Sequence, residues 1–183
     1  MSERRKVVII GGGFGGLSAA QHLHSDLVDV TVIDHRNYHL FQPLLYQVAT
    51  GSLSAGEVAS PLRSILSRQK NTRVWLGTVV DVDPNLKNVT LADGAIVPYD
   101  SLIVAAGSQT SYFGHNEWQE WAPGMKSIEE ATTIRHKILY AFEVAEPSRT
   151  SSSAAPGLHS SLWEQGLQAW KFPERSPRSR AKL

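Results

Sequence analysis

Residues 6–23, KVVIIGGGFGGLSAAQHL, join a β-branched run to a helix-like run through five glycines and one phenylalanine. Residues 6–10, with four consecutive β-branched residues at 7–10, read as a strand buried on both faces of a parallel sheet. Residues 14–25 have helical spacing, with Ala19, Ala20 and Leu23 on one side. Between them Gly11, Gly13 and Gly16 satisfy G-x-G-x-x-G, with Gly12, Phe14 and Gly15 in the variable places. In that pattern the first glycine permits the tight turn, the second lets a pyrophosphate approach the backbone, and the third lets helix and strand pack closely. The helix start adds unpaired N–H groups and the positive end of a dipole. A second buried strand, residues 30–33, ends at Asp34, 18 residues after Gly16 and placed to accept hydrogen bonds from ribose hydroxyls. This constellation predicts an α/β, Rossmann-like dinucleotide-binding fold.

Glycines and an acid serve FAD and NAD alike, so the choice rests on the elements after the second strand. Residues 35–54, aromatic and amide-rich without a clear period, read as a loop with short helical turns. Residues 57–67 resume helical spacing through Val58, Leu62, Ile65 and Leu66, with Pro61 tolerable near the first turn. Residues 73–83, 89–91 and 96–99 read as an antiparallel meander, with turns at DPNLKN and ADG. The buried strand SLIVAA, residues 101–106, then stops at Gly107. An NAD half-domain would instead cross over through a helix to a third parallel strand and soon repeat the unit. A meander in this place is the layout of flavoprotein reductases that bind two dinucleotides, whose first glycine motif holds FAD. Further on, Ser127 and Glu130 form a capping box for a helix running to about residue 145.

Composition removes several alternatives. The 183 residues suffice for one domain with a core and are short for two. Eighteen basic against 17 acidic residues give no global pull toward nucleic acid. The absence of cysteine excludes a disulfide, a thiolate nucleophile and the dithiol flavoenzyme mechanisms, and with them a sulfide:quinone reductase. No uninterrupted apolar run exceeds five residues, and no apolar core of a signal peptide follows the start, which makes a cytoplasmic location the default expectation.

The stretches VVIIGGGFGGLSAA, VTVIDHRNYHLFQPLLYQVATG and YDSLIVAAGSQTSYFGHNEWQEWAPGMKSIEEATTIRHKILYAFE resemble the amino-terminal part of the type II NADH dehydrogenases. These are single-subunit, non-proton-pumping NADH:quinone oxidoreductases. The resemblance covers about residues 5–146, and NYHLFQPLLYQVATG carries more of it than the glycine motif does. It implies non-covalently held FAD, with NADH and a quinone as substrates and peripheral attachment at the cytoplasmic face of a membrane. It implies a pyrophosphate on Gly11, Gly12, Gly13, Phe14, Gly15 and Gly16, a ribose on Asp34, and further flavin contacts at His35 and His39. It also implies a backbone contact from Val79 to the adenine, Ala106 and Gly107 against the cofactor, and Gln47 in the loop near the isoalloxazine. No catalytic residue is assigned.

After about Glu146 the resemblance stops. Residues 1–146 are expected to form the FAD-binding domain, and residues 147–183 a disordered or aberrant basic tail with six basic and two acidic residues. The family's second glycine unit, its quinone-site residues and its membrane-docking helices have no counterpart in the sequence. Where the family has Val-Val-Val-Gly-Gly, this chain has Ser151-Ser-Ser-Ala-Ala155. GC-rich codons for the former, read one base later, give the latter, so a shifted reading frame is the expected origin of the tail. The chain alone is then expected to be inactive. The alternative is a non-catalytic dinucleotide-binding remnant of the same fold.

The remaining constellations read as structural. His22 and His24 lie two apart on a helix and face different ways, so no metal site is expected. Trp118 and Trp121 read as loop packing anchors. The tail's Trp163, Trp170 and Phe172 fit a solvated segment better than a nucleic-acid platform.

Overall fold

A computed structural model describes residues 4–145. The expectations for residues 147–183 lie outside the described residues. The described chain forms two compact units, one running to Pro43 together with Ser54–Gln109, the other comprising Leu44–Leu53 and the residues from Thr110 on.

The first unit begins with β1 (Arg5–Ile10), α1 (Phe14–His22) and β2 (Val28–Asp34). The following connection contains β3 (Tyr38–Leu40), the second unit's helix α2 (Leu45–Ala49), β4 (Ala59–Pro61) and α3 (Leu62–Ile65). Then come β5 (Thr72–Leu76), the strands β6 (Val79–Asp83), β7 (Asn88–Leu91) and β8 (Ile96–Pro98), and finally β9 (Ser101–Val104). The main sheet has order β5-β2-β1-β9 and every pairing in it is parallel. Val7 pairs with Val30 and Ser101, and Ile9 with Val32 and Ile103.

The apolar run of β1 is continuous because both faces of the sheet are covered. On one face Val7, Ile9, Val30 and Val32 pack with Ala20 and Leu66, and with Leu17 and Leu23 around α1. On the other, Val8 and Ile33 pack with Val89, Leu91 and Val97 of the antiparallel sheet β6-β7-β8. Ile9 and Ile33 have no solvent exposure, so truncating either to Ala costs about 2–5 kcal/mol.

Three expectations change here. The run 73–83 is not one strand of a meander: Thr72–Leu76 is a third parallel strand of the main sheet, and the meander is β6 to β8 alone. The break falls at Gly77, whose N–H donates to the Asp34 carbonyl at 2.9 Å and where a Cβ would press on Leu91. Residues 57–67 are not one helix. The backbone of Ala59–Pro61 instead pairs with Tyr38–Leu40, and the helix begins only after Pro61. Finally, α1 ends at His22, not at residue 25.

In the second unit α2 packs against α5 (Ile128–Ala145), with Leu45, Val48, Ala49, Ala131 and Ala141 buried. The capping box forms as expected: Glu130 N–H donates to Ser127 Oγ and Ser127 N–H to Glu130 Oε2, both at 3.1 Å. The short helix α4 (Trp118–Trp121) precedes it.

Candidate functional site

The glycine turn leaves the C-terminal end of β1 and is fixed by the two flanking strands. Gly11 N–H donates to the Ile33 carbonyl, and Ala105 N–H to the Ile10 carbonyl, both at 2.8 Å. Gly11 has φ +103°, and a Cβ there would overlap the carbonyl oxygen of Ala105, so only glycine meets both demands. A Cβ on Gly16 would overlap the Gly11 carbonyl oxygen, which is the close helix-to-turn packing the motif predicts. At Gly12 it would run into the side chain of Leu62.

Gly13 differs from these three. A Cβ there would meet no heavy atom within 4 Å. Gly13 is the N-cap of α1, has no side-chain cap, and the first turn carries no acidic residue. The N–H groups of that turn lack intrahelical acceptors. Open space beside oriented donors at the positive end of a nine-residue helix suits an anionic group.

Asp34 closes one side of the turn. Its Oδ2 accepts the Gly12 N–H, its Oδ1 accepts the Arg36 N–H at 2.7 Å, and its side chain is only 12% exposed. A carboxylate has about four lone-pair sites, so two backbone donors leave capacity for hydroxyl donors. His35 Nδ1 lies 3.2 Å from Asp34 Oδ1, on a ring largely in solvent.

His39 closes the other side. It is buried, and its Nδ1 lies 3.0 Å from the Gly12 carbonyl oxygen. A carbonyl only accepts, so Nδ1 carries the proton in this bond. The Phe14 ring meets His39 edge-on at 4.9 Å and Phe41 at 5.5 Å. The sequence offered His39 as a flavin contact. Its bond to a carbonyl 27 residues earlier was not readable from local pattern.

Ala106 and Gly107 follow β9 on the surface, Gly107 with φ +74° and open space where a Cβ would stand. The structure thus gathers Gly11 to Gly16, Asp34, His35, His39 and the end of β9 around one turn. Val79 sits in the separate antiparallel sheet, half-buried at an irregularity of the β6-β7 ladder. Gln47 belongs to the second unit, where its Nε2 donates to Tyr46 Oη at 2.9 Å. His22 and His24 are both exposed, and His22 Nδ1 bonds the Ser18 carbonyl at 2.8 Å. Trp118 and Trp121 are 43% and 40% exposed, so they are not buried anchors; Trp118 stacks on His115 with ring centroids 4.4 Å apart.

A family model described as pyridine nucleotide-disulphide oxidoreductase matches residues 5–141. The chain belongs to the pyridine nucleotide-disulphide oxidoreductase family. Within it, the chain is 57% identical over 148 residues to the type II NADH:quinone oxidoreductase NdhA of Mycobacterium tuberculosis, covering 79% of this chain and 32% of that one. It is 53% identical over 149 residues to the same organism's type II NADH:quinone oxidoreductase Ndh, covering 80% and 32%. Among solved structures, NDH2 from Plasmodium falciparum in complex with NADH superposes with a TM-score of 0.71 at 31% identity, covering 79% of this chain and 30% of that one. The chain therefore spans about a third of the length of the curated relatives it matches. The parallel sheet with an antiparallel sheet inserted before β9 is a Rossmann-like pyridine nucleotide oxidoreductase fold. Among the described residues no helix is long and apolar enough to cross a membrane.

Proposed function

We propose that the chain binds FAD and forms the flavin-binding amino-terminal segment of an NADH:quinone oxidoreductase of the type II kind. The observation that carries this reading is the open space at Gly13, flanked by the donors of α1 and by Asp34. The donor set fits a dinucleotide: neutral backbone N–H groups and a helix dipole suit a diphosphate, and a carboxylate with spare lone pairs suits ribose hydroxyls. Insertion of β6 to β8 between the third and fourth parallel strands favours FAD over a nicotinamide dinucleotide, as does 57% identity to a type II enzyme.

On this reading Gly11 to Gly16 seat the pyrophosphate and Asp34 holds the ribose. His35 lies at the rim, Ala106 and Gly107 line the cofactor where β9 ends, and Val79 offers a backbone group to the adenine. Residues 1–146 constitute the flavin-binding domain. When bound, FAD supplies two-electron redox chemistry between NADH and a quinone. A quinone acceptor would place the working protein at the surface of a membrane.

A second reading is favoured by the 32% coverage of the relatives, which leaves about two thirds of their length without counterpart in these 183 residues. On this second reading the 183 residues by themselves bind FAD without turnover. Purified protein titrated with FAD tests both readings. One FAD per chain, competed by ADP, with no oxidation of NADH by a soluble quinone, is the expected result. Failure to bind either FAD or ADP overturns the flavin assignment, and sustained NADH oxidation overturns the second reading.

A further inference from the structure

We propose that His39 is a positioning residue for the phosphate-binding turn: by donating from Nδ1 to the Gly12 carbonyl it sets the plane of the Gly12–Gly13 peptide and thereby aims the Gly13 N–H at a bound diphosphate. This rests on the dinucleotide reading above and replaces the direct flavin contact that the family resemblance implies for His39.

The geometry is simple. A trans peptide is planar, with its C=O and N–H pointing in opposite directions, so a partner that holds one fixes the aim of the other. The Gly12–Gly13 peptide lies between two glycines, where the plane rotates at little steric cost. Gly12 is nevertheless held from both ends. Its N–H is taken by Asp34, and its carbonyl by His39 at 3.0 Å. What remains of this peptide is the Gly13 N–H, directed away from His39 at the residue where a Cβ would meet nothing within 4 Å.

His39 itself is well anchored. It is 9% exposed, its backbone on β3 pairs with Ser60 of β4, and the Phe14 ring stands edge-on to it at 4.9 Å. A donor fixed in this way also polarises the peptide it bonds, which strengthens the N–H at the other end.

The test compares His39→Leu, His39→Asn and His39→Gln. Asn places its amide nitrogen close to the position of Nδ1, whereas Gln carries its own out toward the position of Nε2. Affinities for ADP and for FAD are measured by calorimetry. The orientation of the Gly13 N–H in the unliganded protein is measured by its residual dipolar coupling. The expected result is that His39→Leu and His39→Gln each weaken ADP and FAD by the same factor, about tenfold, with a changed Gly13 coupling. His39→Asn stays within about threefold of the original chain and keeps the coupling.

Weaker FAD binding with unchanged ADP binding would mean that His39 touches the flavin, and would overturn the proposal. Unchanged affinity for both ligands, or equal behaviour of Asn and Gln, would overturn it too. Should His39→Leu not fold, the Asn and Gln pair decides. Should the original chain bind neither ADP nor FAD, the dinucleotide reading fails separately, and the Gly13 coupling alone decides whether His39 aims this peptide.

Discussion

The carboxylate of Asp34 accepts the N–H of Gly12, 22 residues earlier in the chain, and so ties the end of β2 to the glycine turn. The same side chain takes the Arg36 N–H at 2.7 Å. Asp34 therefore shapes the turn in addition to offering lone pairs to a ribose. Asp34→Ala removes both contributions, and charge-assisted hydrogen bonds are worth about 1.5–3 kcal/mol each. FAD affinity should fall roughly tenfold or more, read by fluorescence titration. Affinity equal to that of the original chain would refute the assignment.

Gly13 and Gly16, neighbours on the same turn, should respond in opposite ways. A Cβ on Gly16 would overlap the Gly11 carbonyl oxygen, so Gly16→Ala should destabilise the fold by about 1–3 kcal/mol through forced backbone shifts. At Gly13 the Cβ meets nothing, and φ is −70°, which any residue adopts. Gly13→Ala should leave the urea midpoint unchanged while weakening FAD and ADP, because the methyl group fills the space proposed for the phosphate. Loss of stability without loss of affinity at Gly13 would contradict this assignment of the open space.

The difference between what local sequence revealed and what it concealed comes from the range of the forces involved. The strand, turn and helix of residues 5–22 were readable because burial on both faces and glycine stereochemistry leave marks in neighbouring residues. The Ser127–Glu130 capping box was readable for the same reason. By contrast, Val58, Leu62, Ile65 and Leu66 have helical spacing, yet the backbone of residues 59–61 is claimed by β3, well earlier in the chain. Likewise residues 73–83 carry strand-forming side chains on both sides of Gly77, while the partner of each half, parallel β2 or antiparallel β7, is set by the rest of the fold. His39 offered a side chain suited to a ligand. That its acceptor is the Gly12 carbonyl is a fact of tertiary structure alone.

A pH-dependent contribution is expected at Glu57. Its Oε2 accepts the Ser54 N–H at 2.7 Å and the Ser54 hydroxyl at 2.8 Å. The backbone donor foremost, and then the hydroxyl, hold the Glu57 carboxyl below its ordinary value. A depressed folded-state pKa contributes stability that is fully present above the unfolded value and lost as pH falls through the folded one. The difference in urea midpoint between the original chain and Glu57→Gln should accordingly shrink on acidification below the usual carboxylate range. In Ser54→Ala the N–H donor survives, so an NMR titration of Glu57 should show its midpoint moving only part of the way back. A midpoint unaffected by Ser54→Ala would refute the contribution of the hydroxyl.

The largest effect on stability from a single polar side chain in the first unit is expected at Asn71, just before β5. It is 7% exposed, and its Nδ2 faces three carbonyl oxygens, those of Leu23 at 2.8 Å, Ser25 at 3.1 Å and Val28 at 3.2 Å. An amide nitrogen has two hydrogens, so the three acceptors share them, and the side chain closes the segment joining α1 to β2. Its own backbone carbonyl accepts the Val30 N–H at 2.8 Å, so one residue serves both the loop and the sheet. Asn71→Ala would leave those carbonyls without their donor and open a cavity where the amide sat. A stability loss of about 2–4 kcal/mol is expected from the unpaired groups and the lost packing. Asn71→Asp keeps the shape, loses both hydrogens and sets a carboxylate against three carbonyl oxygens, so it should be at least as damaging near neutral pH and recover in part when protonated. Urea unfolding at neutral and acidic pH would measure both variants. An Asp variant as stable as the original chain at neutral pH would show that the Nδ2 contacts do not hold this connection together.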